Sequence, residues 1–438
     1  MLSLVPTLVL PRVSPVLMQT TPPIANKQLL WKILEASYEI PVDDTNHHTW
    51  MYPLSINSDE AREAFESDLE NTFLHHSKGG RNKTHTENLR RHWRVVLLNL
   101  ASAVFQKRWL LVPTDNNYYG KGNFWPERLG MKKDATQHIV NWLRDTGHVE
   151  WKQGKFYKTQ PMKTRIFPKP HLQSLIWHYF FHIEQKIEPP YVILSNASEQ
   201  WEALRDYKRH PEREPLEQIN SFLKSHHWAC KGPVQMKLTR TGFEGGRLYT
   251  PFQNLPDRRA RIRINTFING QPIGEVDFSA NHLRLCLATF AKEDAGATPY
   301  EDIGELASLS GTQKEVRDKV KNFLMVAMGS SDERGASFET RRYGIKAKEF
   351  EAINAAGRKR YPKLRLFDGF GVFAQNLEGQ ILKQVMLEGI KKDIVCLPVH
   401  DAVAVQQEHL KWAEETMLEC WDKQMETSGL ARVKIDKP

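Results

Sequence analysis

Cysteine is scarce in this 438-residue chain. Its four cysteines (Cys230, Cys286, Cys396, Cys420) lie far apart, with no C-x-x-C pair and no histidine at zinc-finger spacing. A disulfide framework and a structural zinc are therefore not expected, and a reducing, cytoplasmic compartment is. Long apolar runs are missing too. Residues 1–19 are rich in Leu, Val and Pro but lack a basic leading region, and Pro6, Pro11 and Pro15 interrupt any helix that a signal or spanning segment needs. A loosely ordered tail is expected there, and no other run is long and uncharged enough to cross a bilayer. The length leaves room for about two to four domains with a sizeable core.

What the chain does have is positive charge in one place. Between residues 77 and 170 there are 19 Lys and Arg against 6 Asp and Glu, a surplus of 13, whereas the whole chain carries only +9. Clustered cations suit a polyanion, most simply nucleic acid, because phosphate neutralisation dominates such binding. A solvated basic face without a partner is the plainer alternative.

The same window has a recognisable rhythm. A helix around Leu89 to Ala103 is followed by Trp109 to Val112, a Tyr-, Asn- and Gly-rich loop, and a second helix opening at Asp134, where Asp134-Ala135-Thr136-Gln137 reads as a capping box. Ile139, Val140 and Leu143 share one face of that helix, and Gly147 stops it. His148 to Trp151 and Phe156 to Lys158 then flank Lys152-Gln153-Gly154-Lys155 as a hairpin with a basic tip. Helix, helix and basic hairpin resemble a winged helix, with Lys132, Lys133, Lys152, Lys155 and Lys158 as phosphate contacts. Before this window, Ala61 to Leu74 reads as an amphipathic helix. After it, His171 to Ile187, Ser198 to Asp206 and Pro215 to His226 read as helices. Trp177, Tyr179, Phe180 and Phe181 are expected to pack in the core, with base stacking as the rival role.

Past residue 238 the residues become specific. Ile273 to Val276 read as a short apolar strand, and Leu283, Leu287 and Phe290 recur at helical spacing soon after. Asp277 stands where strand gives way to helix, as either a metal ligand or a helix cap. Thr312-Gln313-Lys314-Glu315 is a capping box opening a helix that ends at Gly329. Val316, Val320, Phe323 and Ala327 form its apolar stripe, and Arg317, Lys321, Leu324 and Met328 line the adjoining face. Two cations one turn apart can hold a triphosphate. At His400-Asp401 two apolar β-type runs meet, so a second acid sits at a tight, buried strand connection and needs a partner or a metal.

In this order the pieces resemble the polymerase domain of family A DNA polymerases and, more distantly, the phage-type single-subunit RNA polymerases. Four segments carry the resemblance: Gly246-Arg247-Leu248 with Gln253-Asn254-Leu255-Pro256, Val276 to Arg284, Arg317 to Gly329, and Val399-His400-Asp401-Ala402. They span about 239 to 410, under half of the chain.

The resemblance implies an α+β right-hand fold with an antiparallel-sheet palm and helical fingers and thumb. It implies that Asp277 and Asp401, with the Phe278 carbonyl, bind two Mg²⁺ or Mn²⁺ ions. Arg317 and Lys321 would hold a nucleoside triphosphate, Lys321 also serving as an acid, while His282 and Met328 face the nucleotide. His400 would lie by the primer end, and Arg247, Gln253, Asn254 and Arg258 would contact DNA, with RNA as an alternative. Gln375, Asn376 and Glu378 would meet the template strand. On this reading residues 1–85 are a tail and helical segment and 86–170 the basic module. Residues 171–238 are a helical thumb-like region, and 239–438 palm and fingers.

The departures are specific. His282 stands where the DNA polymerases carry Glu and the RNA polymerases Gly, so sugar choice is open. The Arg317 to Gly329 segment lacks the family's aromatic residues, Met325 standing at the Phe position and Met328-Gly329 at the Tyr-Gly position if one residue is missing between Lys321 and Met328, and Ala402 replaces Glu or Ser. No exonuclease motif is found in the first 238 residues. The expected activity is template-directed nucleotide transfer. The rivals are a DNA-binding replication initiator or regulator with an inactive palm, and a two-metal nuclease.

Overall fold

The computed structural model describes residues 40–41, 43, 48–74, 83–121, 123–154, 163–176, 179, 182–194, 202–203, 210–239, 244–255 and 261–438. The chain divides into two units, one formed by Met1–Lys186, Trp228–Gly232 and Asn254–Thr266, the other by Ile187–His227, Pro233–Gln253 and Phe267–Pro438. Helices and small, mostly antiparallel sheets occur in both, the mixture expected of an α+β chain.

The first unit begins with β1 (His48–Thr49), β2 (Leu54–Ile56) and α1 (Asp59–Asp68), which continues as a wider π-helical turn over Leu69–Leu74. Ser58 caps α1 by accepting a hydrogen bond from the Ala61 amide at 3.3 Å, and Asp59 and Glu60 suit the positive end of the helix. Next come α2 (Lys83–Phe105), β3 (Trp109–Leu111), α3 (Phe124–Arg128), α4 (Lys133–Asp145), β4 (Val149–Lys152), β5 (Arg165–Pro168), α5 (Pro170–Ile176) and β6 (Ile183–Gln185). Strands order as β1-β3-β5-β4, with β1 and β3 parallel, and β2 pairs with β6. Trp93, Val96, Leu97 and Leu100 of α2 and Ile139, Val140 and Leu143 of α4 share one core, as their helical spacing dictates.

Two local expectations are corrected here, and a third, the basic hairpin, falls partly outside the described residues. Helix α4 opens at Lys133 with Lys132 at its cap and no side-chain cap bond, so the Asp134 capping box does not form; the Thr136 hydroxyl instead donates to the Lys132 carbonyl at 2.8 Å. The partner of β4 is β5, in the register Lys152 with Arg165, while Phe156 to Lys158 lie outside the described residues. Of the helix read over His171 to Ile187 the described part is Pro170–Ile176, and Ile183–Gln185 is instead a strand, paired with Leu54–Ile56. Tyr179 is buried, as a core residue; Trp177, Phe180 and Phe181 lie outside the described residues.

The second unit opens with β7 (Val192–Leu194), β8 (Glu202–Ala203), α6 (Arg213–Lys224), β9 (Gln235–Leu238) and β10 (Gly245–Tyr249), whose strands form one sheet in the order β10-β9-β7-β8. Then follow β11 (Phe267–Ile268), β12 (Gln271–Phe278), α7 (Asn281–Phe290), α8 (Pro299–Leu306), α9 (Gln313–Gly329), α10 (Glu333–Thr340) and α11 (Ala347–Arg360). The chain closes with α12 (Phe370–Lys391), β13 (Leu397–Val399), β14 (Ala402–Gln406), α13 (Leu410–Met425) and β15 (Val433–Asp436).

Strand β12 is the hub of the second sheet, pairing antiparallel with β11, β14 and β15. Its hairpin with β11 turns at Asn269-Gly270, both in the left-handed region (φ 51 and 77), which is the two-residue turn that matches strand twist. Helix α9 carries the expected capping box: Thr312 Oγ1 accepts from the Glu315 amide at 3.3 Å, and Glu315 Oε2 accepts from the Thr312 amide at 2.8 Å. Among the described residues no helix is long and apolar enough to cross a membrane.

Candidate active site

Ile273 and Val276 of β12 are fully buried, and that anchors the strand against the core up to Asp277 at its exit. The chain then turns through Ser279 and Ala280, the latter left-handed at φ 54, before α7 begins. The cap position of α7 belongs to Ala280, so Asp277 does not cap that helix. It is a strand residue whose register partners are Ala402 on one side and Lys434 on the other.

Asp401 reaches the same place from the neighbouring strand. Val399 pairs with Ala402, which leaves His400-Asp401 as a two-residue turn with His400 left-handed at φ 56. The Asp401 carbonyl accepts from the Phe278 amide at 3.2 Å, tying the turn to the end of β12. His400 is exposed on this turn. Burial, then the Asp277 carboxylate, then the Glu378 carboxylate push the Asp401 carboxyl up to about 7, against an opposing pull from Arg247. Among the described residues Lys434 ion-pairs with Asp277, its Nζ 2.8 Å from Oδ2.

A second layer lies behind the acids. Glu378, in the middle of α12, is 0% exposed. It accepts from Arg247 Nε at 2.6 Å and Nη2 at 3.0 Å, and His282 Nε2 lies 3.2 Å from its Oε2. Burial raises the Glu378 carboxyl, but the His282 hydrogen bond and the Arg247 charge overcome that and hold it below its ordinary value. Glu378 therefore has no surface to offer a template strand, contrary to the expectation for it. Arg247 is 20% exposed and keeps Nη1 without a partner among the described residues.

On α9, Arg317 is engaged by Glu301 at 3.1 Å and lies over the Tyr300 ring at 5.4 Å, while Lys321 is exposed and ion-pairs with no described residue. The Tyr300 hydroxyl, pushed up to about 12 mainly by burial, feels both Arg317 and Asp401, so this helix face and the carboxylates share one field. Met328 is corrected: at 1% exposed it belongs to the core and presents no surface to a nucleotide, whereas Met325, a turn earlier, is 48% exposed.

The remaining sequence candidates are dispersed. Gln253 is buried in the second unit, and Asn254 belongs to the first. Arg258 and Lys155 lie outside the described residues. Lys152 is drawn into an ion cluster with Asp43 at 3.0 Å and stacks over Trp109 at 4.7 Å, so part of its charge is spent inside the protein. The buried Arg165 guanidinium is the largest cause of the low Asp43 carboxyl in that cluster.

Glu378 was expected at a template strand, and its burial against Arg247 and His282 was not foreseen. One residue of the site was missed in the sequence: Lys434 becomes visible only through the register of β15. An alternating Val433-Lys434-Ile435-Asp436 was the one available signal for that strand.

No group of three or more His, Cys, Asp or Glu side chains placed to hold a metal occurs among the described residues. The pair itself suits a hard divalent cation, because Mg²⁺ takes one or two carboxylates and completes its shell with water and substrate phosphate. The Lys434 ammonium on Asp277 already shows a cation accepted there, and Asp401 is short of positive charge.

No family model matches the chain, and no curated protein matches it. Among solved structures the chain is similar to the POL domain of Pol1 from M. smegmatis, determined in complex with DNA primer-template and dNTP, at 15% identity and a TM-score of 0.35, over 86% of this chain and 73% of that one.

Proposed function

We propose that this chain is a template-directed nucleotidyltransferase that extends a nucleic-acid 3′-hydroxyl, a DNA polymerase or primase-like enzyme. The observation that carries the reading is the pair Asp277 and Asp401, brought to adjacent strand ends and close enough that one raises the carboxyl of the other. A buried carboxyl whose ionisation a neighbouring carboxylate opposes is a place for a cation.

Asp277, Asp401 and the Phe278 carbonyl are the groups that would hold two Mg²⁺ or Mn²⁺ ions. When bound, these supply charge neutralisation to the attacking and leaving oxygens of an in-line displacement. Lys321 binds the triphosphate and holds a proton available to the departing pyrophosphate, and Arg317 exchanges Glu301 for phosphate oxygens. Arg247 turns its open Nη1 toward the primer strand, with His400 beside the primer end, and His282 lies by the nucleotide sugar. The α2-β3-α3-α4-β4-β5 segment, with its β3-β5-β4 sheet, has the element order of a winged helix and would bind DNA through the phosphates. Its partners are primer-template or single-stranded DNA, with RNA as the alternative, and nucleoside triphosphates.

The test is incorporation of labelled deoxy- and ribonucleotides, each with and without primer and template, in Mg²⁺ and in Mn²⁺. Labelled product in any arm is expected. A second reading, a DNA-binding regulator with an inactive palm, draws on the two ion pairs Lys434 with Asp277 and Arg317 with Glu301, which use up charges a substrate needs. It expects a gel shift with no product in every arm.

A further inference from the structure

Strand β15 lies at the edge of the sheet that carries the two acids, and among the described residues β12 is its one strand partner. It runs antiparallel to the end of β12, with Glu275 opposite Asp436, Val276 opposite Ile435, Asp277 opposite Lys434 and Phe278 opposite Val433. A directly opposed pair puts both side chains on one face of a sheet. That register, not nearness in the chain, brings Lys434 Nζ to 2.8 Å from Asp277 Oδ2.

Few apolar contacts fasten the strand. None of its four residues is buried, and Ile435 stays 41% exposed. An edge strand that buries so little apolar surface opens at the low end of a protein's local stabilities. The chain just before it is held more firmly. The Ser279 amide donates to the Arg432 carbonyl at 2.8 Å, and the buried Arg284 guanidinium donates to the Leu430 carbonyl at 3.0 Å. Strand β15 is thus a short flap on a fixed base, with Lys434 on the face that meets Asp277.

Asp277 also belongs to the carboxylate pair that suits a divalent ion. An ion seated there sets its own positive charge beside the Lys434 ammonium, and repulsion replaces the attraction that held the lysine. The Lys434 side chain is 64% exposed, so it can leave Asp277 without crossing packed atoms. The strand then loses its cross-strand ion pair.

We propose that β15 is an autoinhibitory strap: Lys434 occupies Asp277 in the absence of metal, and divalent-ion binding and docking of the strap oppose one another at that carboxylate. The opposition is reciprocal, so whatever the ion takes from the docking of the strand, the docked strand takes from the affinity for the ion. The proposal rests on the reading of Asp277 and Asp401 as a metal pair and on no step of nucleotide transfer.

The test compares the full chain with Lys434→Met, which keeps the reach of the side chain and removes its charge, and with Lys434→Arg, which keeps the charge. Mn²⁺ affinity is read by electron paramagnetic resonance. Amide hydrogen exchange of residues 433–436 is read by mass spectrometry with and without saturating Mn²⁺. In the parent, Mn²⁺ is expected to speed that exchange about two- to fivefold, the scale of an exposed cross-strand ion pair. In Lys434→Met the exchange is expected to be faster by a similar factor before any metal is added and to stay unmoved by Mn²⁺, while Mn²⁺ affinity rises to a similar extent. Lys434→Arg is expected to behave as the parent. Unchanged exchange in the parent on adding Mn²⁺, or equal Mn²⁺ affinity in the parent and Lys434→Met, would overturn the strap and leave the metal pair standing. No Mn²⁺ bound by either protein would overturn both.

Discussion

The Asp401 carboxyl sits at about 7, against 3.8 for a free Asp, because it is buried beside Asp277 and Glu378. The folded chain thus keeps a proton there that the unfolded chain has already lost. Stability contributed by that proton is complete below about pH 4 and falls as pH rises toward 7, leaving the full penalty in place at pH 8. At about 1.4 kcal/mol per pH unit the shift sets a ceiling near 4 kcal/mol; the partial exposure of Asp401 reduces this to about 1–2 kcal/mol. Asp401→Asn removes the penalty while keeping the shape. It is expected to raise the melting temperature by roughly 3–6 °C at pH 8 and by about a third as much at pH 5, read by differential scanning fluorimetry. Added Mg²⁺ should stabilise the unmodified chain at pH 8 and leave the variant nearly unmoved. A variant that melts lower than the parent at pH 8, or shows the same gain at both pH values, would refute the electrostatic reasoning.

Three further outcomes follow from single contacts. Gly379→Ala drives a methyl group into the Gly246 carbonyl across the α12–β10 seam, and we expect a loss of about 2–3 kcal/mol or more in urea unfolding, typical of overpacking against backbone. Lys434→Ala removes the ammonium 2.8 Å from Asp277; Mn²⁺ affinity measured by electron paramagnetic resonance should then rise several-fold, and an unchanged affinity would mean that the lysine does not compete for the site. Asp43→Asn leaves the buried Arg165 guanidinium without its carboxylate, so the first unit should lose about 3 kcal/mol. Because Arg165 holds the Asp43 carboxyl far down, this stabilisation should be complete above about pH 4 in the parent and decline progressively as the pH falls further, with circular dichroism as the readout.

The parts of the site legible in the sequence are those set by local rules. Apolar residues before Asp277 and on both sides of His400-Asp401 mark strand ends, and the Thr312 capping box marks the start of α9, since strand period and capping depend on neighbours a few residues away. Glu378 was not legible in this way. Its partners Arg247 and His282 lie 131 and 96 residues away, and nothing in Leu377-Glu378-Gly379 distinguishes a buried acid from a solvated one. Lys152 shows the same limit in reverse. It reads as a free phosphate contact, but its charge meets Asp43, 109 residues away. The strand Ile183–Gln185 was hidden because its pairing with Leu54–Ile56 is long-range, and tertiary pairing overrides a weak helical pattern.

The central claim is that Asp277 and Asp401 act together in nucleotide transfer. Primer extension by one labelled nucleotide in Mg²⁺ tests it most directly, comparing the unmodified chain with Asp277→Asn and Asp401→Asn after circular dichroism has shown each to be folded. The expected result is product from the parent and a loss of about 10³-fold or more in either variant, with no further loss when the two are combined, as befits residues that work as a unit. Folded single variants that extend the primer at the parent's rate would contradict it.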